Sequence, residues 1–255
     1  MSRIALVTGA GRGIGRASAL ALASAGMRVA VSARSEDQLT SLVEEIGSAS
    51  GQAIAVPADL TDRSAPAKVL AAVRETWGDV EVLINNAGVG SSQNPRPIVD
   101  FDDDFWDLTF AVNVTAPYLL TKLALPAMIR AGWGRIVNIA SINAKTPSQH
   151  GAAYTASKHA IAGLTKATAV ESASHGVTAN AVCPGVTRSR MNDKRLEYDA
   201  QRLGTTFEDL ERQASPLGRR LEPDEVASLV AFLASDAAAA INGQAINVCG
   251  GRLIA

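Results

Sequence analysis

Ile4-Ala5-Leu6-Val7-Thr8-Gly9-Ala10-Gly11-Arg12-Gly13-Ile14-Gly15 is a short apolar run that breaks into glycines and leads at once into a helical pattern. Consecutive apolar residues suit a strand covered on both faces, as a parallel sheet flanked by helices demands. Glycines let the backbone turn sharply and approach a pyrophosphate. The helix that follows offers unpaired N–H groups and partial positive charge at its start. The stretch therefore predicts a strand, a phosphate-binding turn and a helix, with a dinucleotide as its natural ligand. Some Gly-rich strand-to-helix turns bind nothing, so the rest of the chain must decide.

Outward from this stretch the same rhythm repeats. Short runs rich in Val, Ile and Ala at residues 4–7, 29–32, 53–56, 82–84, 136–139, 178–182 and 245–248 predict strands. Between them, residues 12–25, 36–48, 63–77, 114–130, 152–174 and 223–233 carry helical patterning. Gly26, Gly47 or Gly51, Gly78, Gly132 and Gly176 separate helices from the next strand, where a left-handed residue commonly ends a helix. The alternation predicts an α/β chain of one domain over residues 1–255, doubly wound, with a seven-stranded parallel sheet and helices on both faces. Residues 89–104 and 186–220 break the rhythm after strand ends. Ligands bind at the carboxyl ends of strands in such sheets, so both are expected to be substrate loops.

Bulk composition narrows the function classes. Apolar residues make up 47% of the 255 residues and charged ones 19%, enough to bury a sizeable core. Lys and Arg number 24 against 25 Asp and Glu, so no global field would draw the protein to nucleic acid or a membrane. Cys183 and Cys249 lack the close spacing of zinc sites or disulfide scaffolds and read as reduced thiols, and no metal is expected. The apolar run at the N-terminus is too short for a signal-peptide core or a membrane span, so a cytoplasmic location is expected.

Which dinucleotide binds is argued from the end of the second strand, Val31-Ser32-Ala33-Arg34-Ser35. A carboxylate there would hold both ribose hydroxyls of NAD and repel a 2′-phosphate. Ala33 and Arg34 stand there instead, and Arg12 adds a cation in the glycine turn. NADP(H) is therefore expected as the preferred cofactor, with NAD(H) possible.

Tyr154-Thr155-Ala156-Ser157-Lys158 puts a phenol and an amine four residues apart, on one face of a helix. Alone, this spacing is usually an ordinary surface pair. A free tyrosine, with a pKa of about 10, is a poor base at neutral pH, and nearby positive charge is expected to lower it. Ser141 closes the strand Ile136-Val137-Asn138-Ile139-Ala140, Asn85-Asn86-Ala87-Gly88 closes another, and Asn113 falls between two helical segments.

Taken with Pro184-Gly185 and Asn242-Gly243-Gln244, these motifs resemble the short-chain dehydrogenase/reductase family over nearly the whole chain. The resemblance implies Tyr154 as acid and base and Ser141 as the group that orients the carbonyl. It implies that Lys158 binds the nicotinamide ribose and lowers the tyrosine pKa, and that Asn113 supports a water-linked proton relay. The cofactor cleft it implies is lined by Gly9, Gly11, Arg12, Gly13, Ile14 and Gly15, by Arg34, Asp59 and Leu60, and by Asn86, Ala87 and Gly88. Pro184, Gly185, Thr187 and Ser189 complete it, with Ser189 replacing a Thr that relatives place on the diphosphate and Thr187 nearer the nicotinamide amide. Cys249 stands where an Asp is common, which bears on subunit contacts. His150 lies one helical turn before Tyr154, within reach of substrate.

The segments 134–141 and 180–185 are most similar to NADPH-dependent β-ketoacyl and polyketide ketoreductases. Reduction of a β-keto thioester or a related ketone is the reading this implies. The alternatives are an alcohol or hydroxy-acid dehydrogenase working oxidatively, and a catalytically silent dinucleotide-binding regulator. Relatives pair the helices at 114–130 and 152–174, which implies a homodimer or homotetramer.

Overall fold

The computed structural model describes residues 2–254. Its strands are β1 (Ile4–Thr8), β2 (Arg28–Ser32), β3 (Gln52–Ala55), β4 (Val82–Asn85), β5 (Gly134–Ile139), β6 (Val177–Pro184) and β7 (Ala245–Val248). All pair in parallel within one seven-stranded sheet of order β3-β2-β1-β4-β5-β6-β7. The order reverses direction beside β1, the switch point at which open α/β sheets bind ligands.

Side chains alternate across the sheet, so each apolar run feeds two cores. Ala5, Val7, Val29, Val31, Val82, Ile84, Val137 and Ile139 face one cluster. There they join Leu22 of α1 (Gly13–Ser24), Leu39 and Leu42 of α2 (Glu36–Ser48), and Val226 and Val230 of α9 (Pro223–Leu233). Ile4, Leu6, Ala30, Leu83 and Ile136 face the other cluster. Their partners are Val69 and Val73 of α3 (Ala65–Thr76), Leu120 and Met128 of α5 (Ala116–Ala131), and Ala169 of α6 (Ala152–Ser172). Each large side chain buried in this way contributes roughly 1.5–3 kcal/mol. Edge strand β3 departs from the two-sided cover, because Gln52 and Ala55 are exposed.

The irregular stretches hold more helix than their sequence suggests. Residues 186–220 contain α7 (Arg190–Leu203), capped by Ser189, and α8 (Phe207–Arg212), capped by Thr206. Of α7 only Leu196 and Ala200 are buried, so charged residues mask its periodicity. The acid-rich end of the other stretch starts α4 (Asp103–Phe110), where Asp102 accepts from the Phe105 N–H at 3.0 Å. Asn113 falls between α4 and α5 without breaking the helix. It lies in a π turn, Ala111–Thr115, that runs α4 into α5.

The resulting Asp103–Ala131 helix of 29 residues is long and apolar enough to cross a membrane. Its Ala116, Leu120, Ala124 and Met128 are packed into the sheet core. The left-handed residue after α2 is Ser50, with φ 63°, instead of Gly47 or Gly51.

Candidate active site

The glycine turn is built by close backbone approach. Gly9 has φ +63°, and a Cβ there would lie 2.8 Å from the Cα of Ala87. A Cβ on Gly15 would collide with the Gly9 carbonyl and the Asn86 side-chain amide. That amide donates to the carbonyls of Thr8 and Gly9 at 2.8 and 3.0 Å. Thr8 Oγ1 accepts from the Asn86 and Ala87 N–H groups at 3.0 and 3.1 Å. Thr8 and Asn86 thus fasten the turn after β1 to the loop after β4. Neither bracing contact was legible, since it joins side chain to backbone across separate strand ends.

Around this turn stand the remaining candidates. Arg12 is exposed at the N-cap of α1, and Ile14 is half-buried in its first turn. Gly11 lies against Gln38, and Gly13, with φ +56°, faces Ser189 across an open cradle, the nearest Ser189 atom being 3.9 Å from a Cβ placed there. Arg34 is exposed after β2 and, like Arg12, makes no ion pair among the described residues. Asp59 is exposed beyond β3, where one of its oxygens accepts from the Thr61 N–H and hydroxyl at 3.0 and 2.9 Å. Leu60 packs into the core beside it.

Pro184 ends β6, and the Gly185 N–H donates to the Val248 carbonyl at 2.8 Å. A Cβ on Gly185 would lie 2.9 Å from the Cα of Cys249, so Cys249 packs beneath this strand end. Thr187 is buried and donates to the Gly185 carbonyl at 3.2 Å. The Ser189 hydroxyl accepts from the Asn192 N–H at 3.2 Å.

The chemical cluster sits beside this cradle, and Gly88 joins the two. A Cβ on Gly88 would lie 3.4 Å from Asn113 Oδ1 and 3.8 Å from Lys158 Nζ. Lys158 Nζ donates to the Ile139 carbonyl at the end of β5 at 2.8 Å and stands 5.6 Å from the Tyr154 ring centre. Asn113 uses its whole amide, accepting from the Val89 N–H at 2.7 Å and donating to the Val89 carbonyl and Ser157 Oγ, both at 3.0 Å. Ser157 in turn donates to the Tyr154 carbonyl at 2.8 Å. Ser157 was visible only as a letter between Tyr154 and Lys158, without a role.

Burial sets the electrostatics. It pushes the Tyr154 phenol above the ordinary tyrosine value, while the Ser141 hydroxyl pulls the other way and Cys183 adds a smaller upward push. The expected lowering of the phenol by a nearby cation is therefore not what the protein alone provides. The ammonium of Lys158 is itself depressed by burial to about 8. Cys183, beside the same groups, is a free buried thiol held above its ordinary value by desolvation.

A glycine turn at a helix N-terminus, with a phenol, a serine hydroxyl and an ammonium beside it, defines an oxidoreductase that works with a nicotinamide dinucleotide. The match to the family model described as short chain dehydrogenase covers residues 3–200, and the chain belongs to that family.

A D-beta-hydroxybutyrate dehydrogenase of Rhizobium meliloti is 37% identical, covering 98% of each chain. A 3-oxoacyl-acyl-carrier-protein reductase of Synechocystis sp. is 36% identical, covering 99% of this chain and 98% of that one. Among solved structures, a single-residue variant of actinorhodin polyketide ketoreductase with NADPH superposes with a TM-score of 0.92. It is 38% identical, over 98% of this chain and 96% of that one.

Proposed function

We propose that this chain reduces a ketone with NADPH, and that the ketone is a β-ketoacyl thioester or a close relative of one. The observation that carries the reading is the cluster of Tyr154, Ser141 and Lys158 at the carboxyl end of β5, next to the glycine cradle. Ketoreductase relatives and the NADPH-bound ketoreductase neighbour support the substrate class. The absence of an acid at Ala33, with Arg34 and Arg12 exposed and without an ion pair among the described residues, supports NADP(H) over NAD(H).

The residues fit a dinucleotide, since a side chain at Gly13 or Gly88 would stand in the space between turn, Ser189 and Lys158. When bound, the nicotinamide supplies the hydride that reaches the carbonyl carbon. Ser141 holds the carbonyl oxygen, and Tyr154 gives that oxygen its proton. Lys158 stabilises the phenolate left behind and binds the nicotinamide ribose. Asn113, fixed by its amide at the π turn, supports the water-linked path that returns a proton to Lys158. A phenol held above its ordinary value suits the donor role in reduction.

The reverse reaction on a hydroxy acid is the second reading, favoured by the likeness to a D-beta-hydroxybutyrate dehydrogenase. A silent regulator would keep the cradle and lose the cluster, which is whole here. We further propose that the chain works in the cytoplasm, in keeping with two free thiols, as a dimer or tetramer. Exposed Tyr118 and Leu123 on α5 and Val170 on α6 support pairing through those helices.

The test is nucleotide turnover in both directions, with NADPH and NADH oxidised against ketones, β-keto thioesters and quinones, and NADP and NAD reduced against hydroxy acids. Turnover of a β-keto thioester with NADPH is the expected result. Turnover confined to NAD and hydroxy acids would favour the second reading, and no turnover at all the silent one.

A further inference from the structure

α7 carries Met191, Arg195 and Tyr198 four and then three residues apart, so all lie on one helix face. That face meets the loop after β4 and the loop between Ser141 and Tyr154. Met191 is seated on Gly90, where any Cβ would collide with its sulfur. Arg195 donates from Nη1 to Ser91 Oγ at 3.3 Å and from Nη2 to the Gln149 carbonyl at 2.7 Å. The Tyr198 hydroxyl and His150 Nδ1 are 2.6 Å apart. Asp199 braces Arg195 through both carboxylate oxygens, at 2.7 and 3.1 Å, and the guanidinium lies 5.5 Å from the Tyr198 ring centre.

The contacts from α7 converge on a strained step. His150 has φ 55°, in the left-handed region that side chains disfavour. Such a residue persists where its surroundings over-determine it. Here Arg195 grips the carbonyl before it and Tyr198 its ring. Gly151 follows, packed so that a Cβ would lie 3.0 Å from Ser148 Oγ and from Ser91 Cβ. α6 starts at the next residue, with Tyr154 in its first turn.

We propose that Arg195 and Tyr198 are positioning residues that latch α7 across the cleft and fix the left-handed step from which α6 and Tyr154 begin. The latch is a property of this chain, and its effect on turnover rests on the proposed ketone reduction. The pair therefore acts through the placement of the Tyr154 phenol, on proton donation more than on substrate binding.

Two variants test this, Tyr198→Phe, which removes one oxygen, and Arg195→Lys, which keeps the charge and loses the fork. Amide hydrogen exchange comes first, since it needs no substrate. Residues 148–154 and 190–203 should exchange about fivefold faster or more in both variants, with the rest of the chain unchanged as the control for folding. With a β-keto thioester, kcat should then fall roughly five- to tenfold in both variants, with KM and NADPH affinity each within about threefold. Unchanged exchange at 148–154, or a loss carried by KM with kcat unchanged, overturns the latch. If the unaltered enzyme reduces no β-keto thioester, the ketone reading fails, while exchange still decides whether α7 holds the start of α6.

Discussion

Lys158 concentrates the chemistry of the site in one side chain. Its ammonium is buried, tied to the Ile139 carbonyl and depressed to about 8. Between about 8 and the ordinary 10.5 the unfolded chain binds the proton that the folded chain has released, so stability rises with pH through that window. The gain amounts to no more than about 3 kcal/mol when deprotonation is complete. Cofactor affinity should move the other way, because the charge offered to the ribose is lost above about 8. Melting and NADPH titration from pH 7 to 10 of the unaltered protein and Lys158→Met check both signs. A parallel pH response in the variant would remove Lys158 as the cause.

At this scale the site was legible wherever chemistry follows from residue type and strand position, as for Ser141, Tyr154 and Lys158. It was not legible where a role depends on contact between distant segments. Thr8 beneath Asn86, Ser157 between Asn113 and Tyr154, and Arg195 against Gln149 are of that kind.

Among elements, the long α4–α5 helix depends on its π turn. Asn113 satisfies both backbone groups of Val89 there, and both residues are buried. Asn113→Ala leaves those groups without partners, at about 1–3 kcal/mol for each buried group. We expect a loss of about 2–4 kcal/mol and a fall in melting temperature of roughly 5–12 °C. An unchanged melting temperature would show that the turn does not rely on this amide.

Strands and most helices could be read from sequence because two-sided burial writes itself as unbroken apolar runs, as in β5 and β6. α7 escaped because its exposed sides are charged and its contact face carries Met191, Arg195 and Tyr198 instead of an aliphatic stripe. The start of α4 escaped because Asp102, Asp103 and Asp104 read as loop, although acids at a helix start are stabilising.

For the whole molecule, the apolar side chains left outside are informative. Val170 is 82% exposed on α6, with Tyr118 and Leu123 exposed on α5, although both helices are otherwise well packed. If two copies meet there, Val170→Glu places a charge in each half of the interface and should lower the mass seen by light scattering to that of a smaller assembly. A monomer before the substitution, or an unchanged mass after it, would contradict pairing through α5 and α6.

The central claim is that the Tyr154 phenol is the proton donor beside a bound nicotinamide. The direct measurement is Tyr154→Phe assayed with the best ketone at saturating NADPH, with cofactor affinity measured on the same sample. The account predicts a loss of kcat of about a thousandfold or more, with NADPH affinity within roughly threefold of the unaltered protein. Turnover retained within tenfold, as a rough limit, would contradict it.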